Sequence, residues 1–220
     1  MRSILHARAP GHALHVIQRG FCRRACFFGD QDCIAFLRHL CEFAGRSGCV
    51  VHAYVLMGNH VHLLLTPSRP EGASLLMRAL REHYTRYFGQ THAWAEPVLD
   101  ERLQALPLRS RQHLLSCMQY IELNPVRARL VRAPGDYRWS SYGANALGQE
   151  DALITPHTWY YALGRTVIAR REAYRALFVD RSSAHSPGLA GKCGLTAPRM
   201  SATSQSRHPS VAPKRSVKNR

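Results

Sequence analysis

Two histidines separated by one residue, His60 and His62, stand at the head of the apolar sequence MGNHVHLLL, residues 57–65. Burying an imidazole without a polar partner is unfavourable, so a pair of them here needs a physical reason. Side chains alternate along a β-strand, which places His60 and His62 on one face and Val61 and Leu63 on the other. Two imidazoles on one face can share a metal ion. The alternative, a pair of half-exposed or hydrogen-bonded strand histidines, stays open from this spacing alone.

A second polar group lies on a predicted helix over 110–124 and suits the same site. Tyr120 and Asn124 are four residues apart, so on a helix they approach one target together. A tyrosine hydroxyl could act there as a nucleophile, and the amide oxygen as a third metal ligand. Two alternatives remain from these residues alone. Tyr120 can be an amphipathic core residue, and Asn124 can cap a following helix that has Pro125 at its first position.

The elements that must position these residues follow an α+β pattern. Apolar spacing distinguishes helices from strands, and Gly58 with Asn59 marks a two-residue turn between two apolar runs. In chain order we predict a strand over 15–20, a helix over 30–45, strands over 49–57 and 60–66, a helix over 74–88, an irregular stretch over 89–108 and the helix over 110–124. This order is compatible with an antiparallel sheet that carries helices on one face and the candidate site on the other.

The sequence also predicts three regions along the chain. Residues 1–148 form the main domain, and residues 149–180 form a helical extension packed on it, with two short helices. Residues 181–220 contain no acidic residue and are rich in Ser, Pro, Gly and basic residues. Such a segment buries too little surface to order itself, so we predict a flexible basic tail.

The composition limits the class of partner. Thirty Lys+Arg against fourteen Asp+Glu give a formal net charge of +16 in a chain of 220 residues. This charge favours nucleic acid first and an anionic membrane surface second. Seven cysteines at irregular spacing indicate reduced thiols and not a disulfide set or a zinc site. The sequence has neither the apolar start of a signal peptide nor a membrane-spanning run, and we predict a cytoplasmic protein.

Four motifs in order resemble a known family. They are MGNHVHLLL at 57–65, LMRALREHYTRYFG at 76–89, QYIELNPVRARLV at 119–131 and PGDYRWSSY at 134–142. Together they resemble the single-tyrosine HUH transposases, and most of all the REP-associated tyrosine transposases, over about residues 10–180. The resemblance implies a ferredoxin-like or RRM-like α+β fold and an enzyme that nicks and rejoins single-stranded DNA.

The resemblance also assigns the site residues. His60 and His62 match the metal ligands, Tyr120 matches the catalytic tyrosine, and Asn124 stands where relatives place a third polar ligand. The implied cofactor is a divalent metal, Mg²⁺ or Mn²⁺, and the implied intermediate is a 5′-phosphotyrosine beside a free 3′-OH. The implied partner is single-stranded DNA with REP-type hairpins, not a membrane, and both a monomer and a homodimer are compatible with the family.

Further residues are candidates for nucleic-acid binding, because arginines can follow phosphates and aromatic rings can stack on unpaired bases. They are Arg19, Arg23, Arg24, Arg78, Arg81, Arg102, Tyr137 and Trp139. The alternative is that the arginines are only solvated and that the aromatic rings pack within the protein. Residues 94–108 depart from the compact Trp–x–Gly–Arg–aromatic pattern of the family, and Arg102 is the residue matched there.

Two other functions stay open. One is a module with the same fold that binds hairpin DNA or RNA without turnover. The four intact residues His60, His62, Tyr120 and Asn124 argue against it. The other is a metal-dependent nuclease that uses water, which would tolerate the change Tyr120→Phe.

Overall fold

Four strands form one antiparallel sheet in the computed structural model, which describes residues 11–179. They are β1 (Ala13–Gly20), β2 (Cys49–Met57), β3 (His60–Pro67) and β4 (Leu99–Leu108). Their spatial order is β2-β3-β1-β4. Helix α1 (Asp30–Ser47) connects β1 to β2, and α2 (Gly72–His92) connects β3 to β4. This connectivity and strand order are ferredoxin-like, which confirms the predicted fold class.

Helices α1 and α2 cover one face of the sheet. Val61 and Leu63 of β3 point to this face and are fully buried against Phe36 of α1 and Tyr84 of α2. The buried Tyr84 hydroxyl donates a hydrogen bond of 2.6 Å to the Cys26 carbonyl. The predicted alternation of β3 is therefore correct, and it turns the two histidines towards the opposite face.

The remaining helices follow β4 in the chain. They are α3 (Arg111–Glu122), α4 (Asn124–Arg127), α5 (Thr158–Tyr161) and α6 (Val167–Val179), with shorter helical turns at Phe21–Arg23, Pro134–Asp136 and Gly143–Leu147. Helix α3 buries Leu114, Met118 and Ile121 against the histidine face, beside Val55 and Leu64. Helices α5 and α6 are the two short helices predicted for the C-terminal extension.

The predicted irregular stretch over 89–108 is wrong at both ends. Helix α2 continues through Gly89 to His92, where Ala93 ends it in the left-handed region at φ 50°. The extra turn is held because Phe88 and His92 pack on Phe28, with ring centroids 4.8 and 5.0 Å away. Strand β4 has little intrinsic strand character, and pairing with β1 along Leu99–Leu108 forms it.

The outer edge of β2 is bonded to the chain that follows α4. The Leu56 N–H donates to the Trp139 carbonyl at 2.9 Å, and the Thr155 N–H donates to the Val51 carbonyl at 2.9 Å. Between these points the Ser141 N–H donates to the Tyr54 carbonyl at 3.0 Å. The C-terminal segment thus occupies the backbone groups that an edge strand would otherwise offer to solvent.

A fully buried carboxylate, Glu122 at the end of α3, joins this segment to the helix. One oxygen accepts from the Ser141 hydroxyl at 2.7 Å and from the Asn145 amide at 2.8 Å. The other accepts from the Tyr174 hydroxyl of α6 at 2.8 Å. Burial raises the pKa of the Glu122 carboxyl from its ordinary 4.5 to about 7, and the three donors oppose that rise.

Several expectations concern other parts of the chain. The predicted tail over 181–220 lies outside the described residues, and the three-region division stays a prediction. The six cysteines of the described range form no disulfide with one another, in agreement with the reduced state that their spacing indicates. Among residues 11–179, no helix has both the length and the apolar character needed to cross a membrane.

Candidate active site

His60 and His62 lie side by side on β3, with ring centroids 5.0 Å apart. The register of the sheet places Arg19 of β1 opposite His60, and Ile17 opposite His62. His62 is 3% exposed, whereas His60, at the end of the strand, is half-buried. Burial lowers the pKa of His60 to about 4 and that of His62 well below its ordinary value, so both rings are neutral near pH 7. Neutral imidazoles are the form that binds a metal.

Each ring has its Nδ1 atom occupied by a hydrogen bond. His60 Nδ1 lies 2.7 Å from Oδ1 of Asn59, and His62 Nδ1 lies 2.9 Å from Nε2 of His15. His15 is 2% exposed, and sequence reasoning did not select it. Its place in the strand HVIQRG was the available signal, but the pairing of β1 with β3 was needed to bring it to His62. The Nε2 atoms of His60 and His62 are left as the available ring nitrogens.

Tyr120 reaches the same place from α3. Its ring centroid lies 5.6 Å from that of His62 and 6.0 Å from that of His15. Ser110 fixes the start of the helix, because its hydroxyl accepts from the His113 N–H at 3.2 Å, as its N-cap position predicts. Tyr120 therefore lies beside the histidine pair, as its predicted position on this helix suggests.

The charge around Tyr120 acts on its phenol in two directions. Burial raises its pKa, while the guanidinium of Arg127, the charge of Arg19 and the amide of Asn124 lower it. The Arg127 guanidinium carbon lies 4.9 Å from the Tyr120 ring centroid. Arg127 was not among the predicted site residues. Its position seven residues after Tyr120, within the motif QYIELNPVRARLV, was the signal available.

Asn124 is the first residue of α4 and not the cap before it, since Leu123 occupies that position. Its amide nitrogen donates to the Tyr120 carbonyl at 2.9 Å, which fixes the side chain against the last turn of α3. The amide oxygen is then the atom of Asn124 that could bind a cation.

The donor atoms suit a divalent ion that takes both nitrogen and oxygen ligands. Within residues 11–179, no group of three or more His, Cys, Asp or Glu side chains is arranged to hold a metal. An ion here would therefore depend on the two imidazole nitrogens together with oxygen from Asn124 or from a bound phosphate. Two imidazoles with oxygen ligands are compatible with Mn²⁺ and, with more oxygen, with Mg²⁺.

Three of the predicted nucleic-acid residues lie near the histidine end of the sheet. Arg19 lies opposite His60 in the register of β1 and β3, and Arg23 and Arg24 follow it in the loop after β1. The Arg23 carbonyl accepts from the Asn59 amide at 3.3 Å, which ties this loop to the turn before His60. Arg24 forms an ion pair with Glu96.

The other predicted nucleic-acid residues are placed elsewhere. Arg102 is exposed on β4, while Arg78 and Arg81 belong to α2 and so lie on the face opposite the histidines. Tyr137 donates its hydroxyl to the Leu56 carbonyl at 2.7 Å, and the half-buried Trp139 packs on the core beneath Arg138. The two aromatic rings therefore pack against β2 and its neighbours.

Comparisons with known proteins match part of the chain to a family of transposases. Residues 9–103 match the model of a family described as transposase, IS200 like. This range includes His60 and His62, and it ends before Tyr120. No curated protein matches the chain in sequence.

Two solved structures are similar to this chain. One is a REP-associated tyrosine transposase bound to a REP hairpin, at a TM-score of 0.56 and 17% identity, covering 69% of this chain and 89% of that one. The other is a candidate transposase from Deinococcus radiodurans R1, at a TM-score of 0.40 and 20% identity, covering 53% of this chain and 92% of that one. At these identities the first match shows the fold. The family match agrees with the resemblance of residues 9–103 to IS200-like transposases, and the chain shares the fold of a REP-associated tyrosine transposase.

Proposed function

We propose that this protein is a metal-dependent endonuclease and strand transferase that acts on hairpin-bearing single-stranded DNA through a 5′-phosphotyrosine intermediate. The observation that carries the proposal is the meeting of Tyr120 from α3 with His62 from β3, at 5.6 Å between ring centroids. A nucleophile and a pair of neutral imidazoles are the parts that such a reaction requires. The family match over residues 9–103 supports a role in DNA transposition.

The reaction begins with a phosphodiester bound at the histidine end of the sheet. His60 and His62, with Asn124, would hold a divalent ion, which when bound polarises a phosphate oxygen as a Lewis acid. Tyr120 attacks phosphorus, so a bond forms from its phenolic oxygen to phosphorus and the bond to the 3′ oxygen breaks. The 3′ oxygen leaves as a hydroxyl, and the proton lost by the phenol balances the proton it gains. The covalent link conserves the phosphodiester energy, so a 3′-OH can reverse the step and join strands.

Arg127 and Arg19 assist this step because their positive charges stabilise the negative charge of the Tyr120 phenolate. A phenol has an ordinary pKa of about 10, and burial of Tyr120 raises it further. Both guanidinium groups favour the phenolate and oppose this rise. Arg127 lies against the ring itself, so it is the residue of this chain placed to stabilise the charge that develops on the nucleophile.

The proposed substrate follows from charge and from the structural relative. That relative is described with a REP hairpin bound, and this chain has a net charge of +16. Arg19 lies opposite His60 in the sheet, and Arg23 and Arg24 follow in the loop bonded to the turn before His60, so they are the arginines that we expect to contact phosphates, Arg24 after it leaves Glu96. Affinity that depends on such contacts falls steeply with added salt.

The test uses single-stranded DNA hairpins taken from beside the protein's own gene, with Mn²⁺ or Mg²⁺, and a denaturing gel. We expect a protein band covalently linked to DNA that disappears in Tyr120→Phe and in His60→Ala. Tyr161→Phe, at an exposed tyrosine of α5 outside the site, is the matched control and should keep the band.

Two results would contradict the proposal and identify the alternatives. Cleavage that persists in Tyr120→Phe would indicate a water nucleophile. Tight, salt-sensitive hairpin binding by the unmodified protein, with neither cleavage nor adduct, would indicate a binding module.

A further inference from the structure

We propose that His15 and Asn59 are positioning residues that keep the ring proton of His62 and of His60 on Nδ1, and so present both Nε2 atoms to the metal. This inference rests on the proposed metal-dependent function. Neither residue contacts the ion in this arrangement. Each acts through the ring to which it is hydrogen-bonded.

The proton of His60 is assigned by the two bonds that Asn59 makes. The carbonyl of Arg23 can only accept, so the Asn59 atom that faces it at 3.3 Å is the amide nitrogen. The other end of the amide, which lies 2.7 Å from His60 Nδ1, is therefore the oxygen. An amide oxygen can only accept as well, so Nδ1 of His60 must carry the proton. Its Nε2 atom then has a free lone pair.

The pair formed by His15 and His62 allows two arrangements, of which only one binds a metal. Either His62 Nδ1–H donates to His15 Nε2, or His15 Nε2–H donates to His62 Nδ1, across the same 2.9 Å. The second arrangement leaves the proton of neutral His62 on Nε2, where it blocks coordination. The first arrangement leaves Nε2 of His62 without a proton, just as the hydrogen bond to Asn59 leaves Nε2 of His60 without one. Both rings then offer the same nitrogen on the same face of β3.

The position of His15 suits this role. It is buried at 2% exposure, and its ring lies edge to edge with that of His62, with centroids 5.2 Å apart and an interplanar angle of 24°, as the in-plane bond between the two nitrogens requires. Its strand neighbours hold it there, because β1 pairs with β3 on one side and with β4 on the other. Free neutral histidine prefers the proton on Nε2, so a fixed acceptor at Nδ1 prepares the ligand before the ion arrives. Partners of this kind typically change metal affinity by about 10–100-fold.

The experiment reads the ring protons in the metal-free full-length chain and then the affinity for Mn²⁺ alone. Imidazole ¹⁵N–¹H correlation spectra report which nitrogen carries the proton, and calorimetric titration reports the affinity. We expect the Nδ1–H form for His60 and His62 in the unmodified protein. In His15→Phe, which keeps an aromatic ring without an acceptor, we expect His62 to shift to Nε2–H and Mn²⁺ affinity to fall about 10–100-fold.

Conservative variants separate positioning from packing. The side-chain oxygen of His15→Gln can accept from His62 Nδ1–H, so this variant should regain most of the affinity. Asn59→Asp keeps an acceptor for His60 and should bind Mn²⁺ well, whereas Asn59→Leu should not. His113→Phe removes an exposed histidine of α3 and should leave both readouts unchanged.

Three results would overturn the inference. They are Nε2–H forms in the unmodified protein, unchanged Mn²⁺ affinity in a folded His15→Phe, and no recovery in His15→Gln. The spectra of the unmodified protein decide the matter even where a variant fails to fold. Loss of the DNA adduct alone tests the proposed function and not the positioning roles. A chain that shows these ring protons and affinities but forms no adduct would contradict the proposed function and support the positioning roles.

Discussion

Replacing Glu122 by glutamine tests how the buried end of α3 is stabilised. The glutamine amide has the same shape, and its oxygen can accept from Ser141 and Asn145 as the carboxylate does. Its nitrogen can donate to the Tyr174 oxygen, which can accept as well as donate. The variant keeps the bonds from Ser141 and Asn145, reverses the bond with Tyr174 and removes the ionisable group, so its effect on stability should depend on pH.

The magnitude follows from the raised pKa of Glu122. The shift from 4.5 in the unfolded chain to about 7 in the folded protein corresponds to about 3 kcal/mol, at about 1.4 kcal/mol per pKa unit. Because the folded pKa is the higher one, this stability is fully present below pH 4.5 and is lost as the pH rises through 7. The amide introduced by Glu122→Gln is neutral throughout, so the variant should gain about 3 kcal/mol relative to the unmodified protein over that interval.

Urea unfolding of both proteins at several values between about pH 4.5 and pH 8 measures the difference in free energy of unfolding. The buried histidines contribute equally to both proteins and cancel in that difference. Glu172→Gln removes an exposed carboxylate of α6 and serves as the control, with a small effect at every pH. A difference that is constant with pH, or that favours the unmodified protein as the pH rises, would refute the reasoning.

Four further changes test other parts of the structure. Burial lowers the pKa of His52 to about 4, so up to about 3 kcal/mol of stability is lost as the pH falls from 6.5 through 4; His52→Gln should remove this part of the acid sensitivity in urea unfolding. In Gly45→Ala of α1 the new Cβ meets no atom within 4 Å, so the variant should gain about 0.5–1 kcal/mol in free energy of unfolding and melt at a higher temperature. In Gly20→Ala the new Cβ runs into the Arg24 carbonyl oxygen, so this variant should melt at a lower temperature. Ser110→Ala removes the cap of α3 and should reduce the free energy of unfolding by about 1 kcal/mol in urea titrations; a difference below about 0.2 kcal/mol would contradict the capping role.

The parts of the site that could be predicted are those set by local periodicity. Alternation along β3 places His60 and His62 together, and the 3.6-residue repeat of α3 gives Tyr120 and Asn124 a common direction. The turn of Gly58 and Asn59 marks the hairpin that starts β3 at His60. Each of these signals lies within about twenty residues of chain.

The parts that could not be predicted depend on contacts between distant segments. The bond from His15 to His62 exists only because β1 and β3 pair in one register, which neither strand specifies alone. Glu122 reads in the sequence as an ordinary helix glutamate, and only the packing of α6 and the segment around Ser141 buries it. Strand β4 is weak in local preference and forms by pairing with β1.

The backbone bonds along β2 also bear on aggregation through this edge of the sheet. Because residues 139–155 occupy the outer side of β2, the apolar strand CVVHAYVLM is closed to strands of other chains. Among the described residues, β4 is then the edge that another strand could reach, and it carries Asp100, Glu101, Arg102 and Pro107, residue types that oppose such pairing. A chain truncated before Trp139 would expose β2, and aggregation through that strand would follow from the loss of a segment far from the candidate catalytic residues.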